Sequence, residues 1–130
     1  MAAEGHIHHV AAREWFTDQF DASVAFCRVT QMALLRLLTN RHVMGGDPSS
    51  ITGAWEVFVE LRHDPRVVFA ADHEKVDAVW CRFLMLPGIG PSAWTDAYLA
   101  ALAQTHSYSL ATFDTGFKRW SDLSLTLLEA

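Results

Sequence analysis

The sequence predicts an α/β fold with a mainly parallel sheet and helices on both of its faces. Segments with helical apolar spacing alternate with short β-prone runs, a pattern typical of strand–helix–strand units. The run VVF at residues 67–69 is short, continuous and β-branched at its start, which favours a buried parallel strand. With 130 residues, 51% of them hydrophobic and 19% charged, the chain is long enough for one core. We therefore expect a single domain over residues 1–130, without repeats or linkers.

The first half of the chain is expected to contain three helices and two strands. The predicted elements, in order, are a helix at 8–19, a strand from Ser23 to Val29, a helix capped by Thr30, a loop at 41–50, a helix that starts at Ser49 or Ser50 and ends before Asp64, and the VVF strand. The helix after Thr30 has two apolar sides, as expected where another subunit or more of the core covers it; they comprise Met32, Leu34, Leu35, Leu37 and Leu38. In the next helix the side chains expected in the core are Trp55, Val57, Phe58 and Leu61.

The second half should contain two helices followed by two strands. The predicted elements are a helix capped by Asp72, a closing loop at 87–91, a helix capped by Thr95, a turn at 106–108, a strand from Ser109 to Phe113, one helical turn at 117–120 and a final edge strand through Leu123, Leu125 and Leu127. The first of these helices carries an apolar stripe formed by Val76, Val79, Trp80, Phe83 and Leu84.

Two acids, Asp96 and Asp114, are expected to meet at one edge of the sheet. From Asp96 the helix runs about ten residues at roughly 1.5 Å each, and the strand returns about five residues at roughly 3.3 Å each, so the two paths nearly cancel. Open α/β folds bind ligands at such an edge, and paired carboxylates there suit Mg²⁺ or Mn²⁺. The alternative is structural: Asp96 is an ordinary acid of a first helical turn, and Asp114 with Gly116 forms an ordinary turn.

Other metal-binding residue types give no comparable set. His6, His8 and His9 cluster near the start, but no acid or cysteine completes a zinc-type spacing. Cys27 in a predicted strand and Cys81 in a predicted helix are isolated in the sequence. We interpret both cysteines as inert core thiols.

Charge and hydropathy limit the classes of function. Ten basic against fifteen acidic residues give a net charge of −5, which argues against a sequence-independent nucleic-acid coat. A metal-dependent nuclease stays open, because cations offset grouped acids. There is no run of about 18 apolar residues and no charged-then-apolar leader, so we expect no membrane span, no signal peptide and, by default, a cytoplasmic protein.

Four segments, in order along the chain, carry a resemblance to a known family. They are HHVAAREWF (8–16), FCRVTQMALLRLLTN (26–40), TDAYLAALA (95–103) and LATFDTGF (110–117). They resemble PIN domains, particularly bacterial toxins of the VapC type. The resemblance implies a three-layer α/β/α domain that cleaves RNA with Mg²⁺ or Mn²⁺ held by three or four acids, and that a cognate antitoxin neutralises. Asp96 and Asp114 match the last two of those acids, and Thr112 matches a Thr common two residues before the final one.

The resemblance departs from the family pattern in the helix after the second strand. Many PIN domains carry a metal-binding Glu there, where this chain has Ala33. Gln31 lies close by in the sequence and offers a carbonyl oxygen that can bind a metal-bound water. Arg36 in the same helix is interpreted as an ion-paired or snorkelling residue, with a contact to phosphate or antitoxin as the alternative.

The family's first, central strand and its Asp, usually in DTN or DAN, have no counterpart in this sequence. We expect that Met1 is an internal methionine of a longer protein; a genuinely shortened variant is the alternative. A sheet without its central strand leaves unpaired backbone groups and apolar surface on its neighbours. We therefore predict a homodimer or higher oligomer.

Two function hypotheses of different classes follow. In the first, the protein is a PIN-type endoribonuclease in which metal held by Asp96 and Asp114 activates water for attack on an RNA phosphodiester. Its activity is expected to be weak or absent, because two of the family's acids are missing. In the second, the chain is a catalytically impaired module that binds an antitoxin or RNA. An unrelated small α/β domain is a third, less specific interpretation.

Overall fold

The computed structural model describes residues 14–19, 24–40 and 50–129. In chain order their elements are β1 Val24–Phe26, α1 Arg28–Leu38, α2 Ile51–His63, β2 Val67–Phe69, α3 Val76–Leu84, α4 Trp94–Thr105, β3 Leu110–Thr112 and β4 Leu125–Leu127, with 3₁₀-helices at Pro91–Ala93 and Thr115–Arg119. Both strand pairs are parallel. Helices together with parallel strands confirm the predicted α/β class.

The described residues form two compact units, one ending at Ala71 and the other spanning Asp72–Glu129. In the first unit residues 14–17 are helical, and this helix ends two residues before the predicted end at residue 19. Residues 8–13 of that helix, the predicted loop at 41–49 and the His6, His8 and His9 cluster lie outside the described residues. A single domain over residues 1–130 stays a prediction.

β1 and β2 form the parallel pair of the first unit. Val24 lies opposite Val67, and Phe26 lies opposite Phe69. The pairing continues at Ala70, whose N–H donates to the Phe26 carbonyl at 2.7 Å. The strand predicted from VVF is therefore confirmed, with Val67 buried at its start.

α1 begins earlier than predicted and thereby shortens β1. Cys27 precedes the first turn of α1, and the Thr30 hydroxyl accepts a hydrogen bond from the Cys27 N–H at 2.8 Å. Thr30 thus stabilises the start from the third helical position by reaching back, as the inner residue of a capping box does. Thr30 is therefore not the cap. The strand predicted for 23–29 was too long because α1 already begins at Arg28.

α2 has the boundaries that the sequence predicts. The Ser50 hydroxyl accepts from the Gly53 N–H at 3.0 Å, which satisfies one of the free N–H groups at the helix start. The helix ends at His63, directly before Asp64. Capping by Ser50 is confirmed because this contact needs only residues close in sequence.

The core face of α2 is narrower than predicted. Ala54 and Phe58, four residues apart, are buried, whereas Trp55 is 51% and Val57 37% exposed. Trp55 and Val57 are each one residue, about 100° of helical rotation, away from the buried stripe. Their placement in the core was wrong.

The second unit contains α3 and α4, which pack against each other. α3 buries Val76 and Phe83 from its predicted stripe. The buried side of α4 consists mainly of small side chains, Ala97, Ala100, Ala101, Leu102 and Ala103. Small side chains permit a short interaxial distance between helices.

The caps predicted for α3 and α4 were wrong. α3 begins at Val76 after Lys75, and Asp72 instead accepts a hydrogen bond from the Tyr98 hydroxyl of α4. α4 begins at Trp94, directly after the 3₁₀-helix at Pro91–Ala93, so Thr95 lies inside its first turn. Both polar residues have side chains suited to capping, but a hydrogen bond from α4 engages Asp72 and a preceding 3₁₀-helix places Thr95 inside the first turn.

Cys81 on α3 is exposed, so its interpretation as a core thiol was wrong. It follows Val76 by five residues, about 140° around the helix from that buried position. Cys27 is buried, as predicted.

The turn from α4 to β3 is formed by residues 106–108, as predicted, and it has two characteristic hydrogen bonds. The Ser107 N–H donates to Gln104 at 3.0 Å and the Tyr108 N–H donates to Ala103 at 2.8 Å. Ser107 has φ 59°, the left-handed conformation of the residue that follows a helix C-cap. This turn reverses the chain into β3.

β3 pairs in parallel with β4, with Leu110 opposite Leu125 and Thr112 opposite Leu127. Beside the pair, Trp120 is 2% exposed and its indole N–H donates to the Phe83 carbonyl at 3.2 Å. Trp120 is therefore a fixed part of the core of the second unit. Among the described residues, no helix has the length and apolarity needed to cross a membrane.

Candidate functional site

Asp96 lies in the first turn of α4, where a carboxylate interacts favourably with the positive end of the helix dipole. Its Oδ2 is 3.8 Å from Nη2 of Arg119. Both side chains are 38% exposed, so the pair is accessible to solvent. Asp96 is therefore placed where an ion or a ligand can reach its carboxylate.

Asp114 follows β3 and caps the 3₁₀-helix Thr115–Arg119. Its Oδ1 accepts a hydrogen bond from the Gly116 N–H at 2.7 Å. Its own N–H donates to the Thr112 hydroxyl at 3.1 Å. Thr112 and Gly116 thus hold Asp114 from both sides of the turn, and the side chain remains exposed. The turn that the sequence predicts around Asp114 and Gly116 is present.

Arg119 connects the elements that carry the two acids. It is the last residue of the 3₁₀-helix that Asp114 caps, and it contacts Asp96 on α4. Its guanidinium carbon lies 4.4 Å from the centre of the Trp120 ring. The structure therefore brings Asp96 beside the short helix that starts at Asp114; a single ion shared by both carboxylates stays a prediction.

Sequence reasoning did not find Arg119. Its position follows the burial of Trp120, the next residue, and this burial is not visible in a local pattern. The adjacent basic residues Lys118 and Arg119, soon after a candidate acid, were the signal that was available.

Gln31 and Arg36 belong to α1, in the first unit. Gln31 is only 3% exposed, and its carbonyl oxygen accepts a hydrogen bond from Nη1 of Arg28 at 2.6 Å. The oxygen expected to bind a metal-bound water is therefore engaged by a cation. Arg36 is exposed and lines a mostly apolar groove of about 300 Å³ between α1 and α2. Ala33 is exposed on the same helix.

One titratable group of the first unit has a strongly altered pKa. Hydrogen bonds from the Arg66 side chain and from its backbone N–H lower the pKa of Asp64 to about 2. The Arg66 Nη2 lies 2.7 Å from Asp64 Oδ2, directly after α2. This pair fixes the turn between α2 and β2.

A second group of polar and aromatic side chains lies in the unit that contains α3 and α4. His106 stacks on Tyr108 with ring centres 5.1 Å apart, and His73 meets His106 edge to face at 5.6 Å. Within residues 14–19, 24–40 and 50–129, no three His, Cys, Asp or Glu side chains are grouped to hold a metal ion. His73 and His106 thus make ring contacts within this unit.

A family model for the PIN domain matches residues 1–123. The chain belongs to the PIN domain family. This match spans residues of both compact units.

Several curated PIN proteins are similar to this chain over most of its length. Ribonuclease VapC41 of Mycobacterium tuberculosis (strain H37Rv) is 40% identical over 133 residues, which cover 98% of this chain and 91% of that protein. Ribonuclease VapC38 of the same strain is 36% identical over 118 residues, which cover 89% of this chain and 79% of that protein. Ribonuclease VapC29 of that strain is 33% identical over 113 residues, which cover 85% of this chain and 75% of that protein. The chain is thus a VapC-like PIN protein.

VapC-type PIN nucleases generally depend on a divalent metal ion. Mg²⁺ is usually held by one or two carboxylates, with water and substrate phosphates as its other ligands. Asp96 and Asp114 both present carboxylate oxygens to solvent, and Asp114 is oriented by the hydrogen bond from Gly116. Carboxylate oxygens are the donor type that a hard divalent cation prefers, and binding of one cation by both acids stays a prediction.

Proposed function

We propose that this PIN protein is a metal-dependent endoribonuclease of the VapC type, in which Asp96 and Asp114 hold Mg²⁺ or Mn²⁺. The observation that carries the proposal is the contact of Asp96 with the helix that Asp114 caps, made through Arg119. The ribonucleases named above support RNA as the substrate. We assign the protein to the cytoplasm, where RNA is available.

In this proposal each residue has a limited role. A bound divalent cation supplies activation of water and stabilisation of the leaving oxygen. Asp96 and Asp114 bind the cation, and the Thr112 hydroxyl and the Gly116 N–H orient Asp114. Because Ala33 stands where many family members have a Glu, and the nearby Gln31 brings no charge, we expect fewer acidic ligands and slow turnover.

Substitution of the two acids tests the proposal. With end-labelled RNA and Mn²⁺, the unmodified protein should cut the RNA slowly, and EDTA should stop the reaction. Asp96→Asn and Asp114→Asn should each reduce the cleavage rate by at least the roughly 10–100-fold that loss of an outer-shell partner of a metal costs.

Asp122→Asn is the matched control, because Asp122 also pairs with an arginine, Arg82, at 3.9 Å in the same unit. It should cleave at the unmodified rate. Unchanged cleavage by Asp96→Asn, or equal losses in all three variants, would contradict the assignment of the site.

The second candidate function is a PIN module that binds a partner without turnover. The engagement of Gln31 by Arg28 favours it, because that amide then brings no free oxygen to a cation. A binding module should retain its affinity for antitoxin or RNA in Asp96→Asn and Asp114→Asn, and the unmodified protein should show no EDTA-sensitive cleavage.

We propose two protein partners for this PIN chain, a cognate antitoxin and a second copy of itself. Exposed apolar side chains on α1 and α2 support a protein-binding surface there; they include Met32, Leu37, Ile51 and Trp55. Arg36 lines the groove beside them. Exposed apolar surface commonly marks a protein–protein interface.

A further inference from the structure

Arg119 is a basic residue that forms an ion pair with Asp96, one of the two candidate metal-binding acids. We propose that its guanidinium binds an RNA phosphate next to the bond to be cut. This inference rests on the proposed nuclease function and extends it to a substrate-binding residue. Its starting points are the 3.8 Å contact of Nη2 with Asp96 Oδ2 and the position of Arg119 at the end of the helix that Asp114 caps.

A buried aromatic side chain holds Arg119 in place. Its guanidinium carbon lies 4.4 Å from the centre of the Trp120 ring. Trp120 itself is fixed by the hydrogen bond to the Phe83 carbonyl and by stacking on the Phe83 ring at 5.8 Å. Because the ring cannot move freely, the arginine resting on it loses less conformational freedom when it binds a ligand.

The acidic charges around the candidate site oppose the approach of RNA. Asp96 and Asp114 place two negative charges near the path of a polyanion, in a chain whose net charge is −5. An arginine between their elements offsets that repulsion. Its planar guanidinium donates two parallel hydrogen bonds to a phosphate, which a lysine ammonium does not do.

The existing ion pair does not prevent phosphate binding. At 3.8 Å, Nη2 and Oδ2 lie beyond hydrogen-bond distance, and both side chains are 38% exposed. Exposed pairs of this kind contribute little to stability, since water screens them. A phosphate can therefore replace Asp96 as the partner of the Arg119 guanidinium without disrupting the fold.

A salt titration of RNA binding tests this role apart from cleavage. The probe is a fluorescein-labelled single-stranded RNA of mixed sequence, with Ca²⁺ in place of Mg²⁺ to limit turnover, and fluorescence anisotropy is the readout. For Arg119→Gln we expect about tenfold weaker binding, and a plot of log K against log salt that is less steep by about 0.7, as for one lost phosphate contact on a single strand.

Two matched variants separate this contact from general charge effects. Arg82→Gln removes the same charge from the similar Arg82–Asp122 pair at 3.9 Å and should bind RNA with the unmodified affinity and slope. Arg119→Lys keeps the charge, so it should keep the slope while losing part of the affinity, because the two parallel hydrogen bonds are lost. Thermal unfolding of all variants checks that the Trp120 packing is preserved. If Arg119→Gln does not fold, Arg119→Lys alone decides the test. In that case the proposal is overturned if Arg119→Lys binds RNA as tightly as the unmodified protein.

The outcomes distinguish this inference from the function on which it rests. An unchanged slope for Arg119→Gln, or equal losses for Arg119→Gln and Arg82→Gln, overturns the role of Arg119 and leaves the nuclease proposal standing. If the unmodified protein neither binds nor cuts RNA, both proposals are wrong.

Discussion

At the scale of single residues, the candidate site depends on how one carboxylate is oriented. Asp114 Oδ1 accepts the Gly116 N–H at 2.7 Å, and a Cβ added at Gly116 would lie 3.0 Å from that same oxygen. Real Cβ contacts are rarely this short, so a side chain at Gly116 would displace the carboxylate. The Asp114 carboxylate would have to move by a few tenths of an ångström to admit a side chain at Gly116.

We predict that Gly116→Ala reduces RNA cleavage by roughly tenfold, because a small displacement of a reacting group has a large effect on rate. Its melting temperature should change little, since Gly116 is exposed. Gly90→Ala is the control: a Cβ there meets nothing within 4 Å, so its cleavage rate should equal that of the unmodified protein. Full activity of Gly116→Ala would show that the orientation of Asp114 is unimportant.

At the scale of secondary-structure elements, local signals were sufficient for some boundaries. Ser50 at the start of α2, the VVF strand and the turn at 106–108 were predicted because their hydrogen bonds join residues close in sequence. Thr30, Asp72 and Thr95 were misassigned as caps. For Asp72 the reason is physical: its partner, Tyr98, is on another helix.

The same distinction applies to the candidate site. The turn of Asp114 could be predicted from residues 112–116, whereas Arg119 could not. The proximity of Arg119 to Asp96 follows from the packing of Trp120 against Phe83, a contact between residues far apart in the chain. Tertiary packing therefore determines the part of the site that sequence patterns do not show.

The connection from α2 to β2 should respond to acid. The Asp64 pKa is lowered from 3.8 to about 2 by its bonds to Arg66, so ionised Asp64 stabilises the folded state at neutral pH. Since the folded-state pKa is the lower one, this contribution is present above about pH 4 and is lost as the pH falls toward 2.

We predict that Asp64→Asn is less stable than the unmodified protein at pH 7, and that the difference disappears near pH 2. Urea unfolding at a series of pH values measures it. Glu56→Gln, at an exposed acid in the middle of α2, serves as the control and should show no such change with pH. An Asp64→Asn difference that is constant from pH 7 to 2 would contradict the role of the Arg66 contact.

At the scale of the whole molecule, the first unit exposes large apolar side chains along α2. Ile51, Trp55 and Val59, spaced by four residues along α2, are 79%, 51% and 36% exposed. This spacing forms one stripe on the helix. A stripe of large apolar side chains favours association with a second copy.

We therefore predict that the protein is a dimer or higher oligomer in light scattering, and that Ile51→Lys shifts it toward the monomer by placing a charge in the apolar contact. Met85→Lys is the matched control, because Met85 is 72% exposed at the end of α3 in the other unit. A monodisperse monomer at every protein concentration would overturn the prediction.

The two parallel strand pairs also differ in the sequence separation of the residues that they bring together. Val24 meets Val67 only after α1 and α2 have been traversed, whereas Leu110 meets Leu125 across a short 3₁₀-helix. Loop closure costs more entropy as the loop lengthens, and contacts of high sequence separation form later during folding. During refolding, the β3–β4 pair, and with it the turn that holds Asp114, should be in place before the β1–β2 pair has formed.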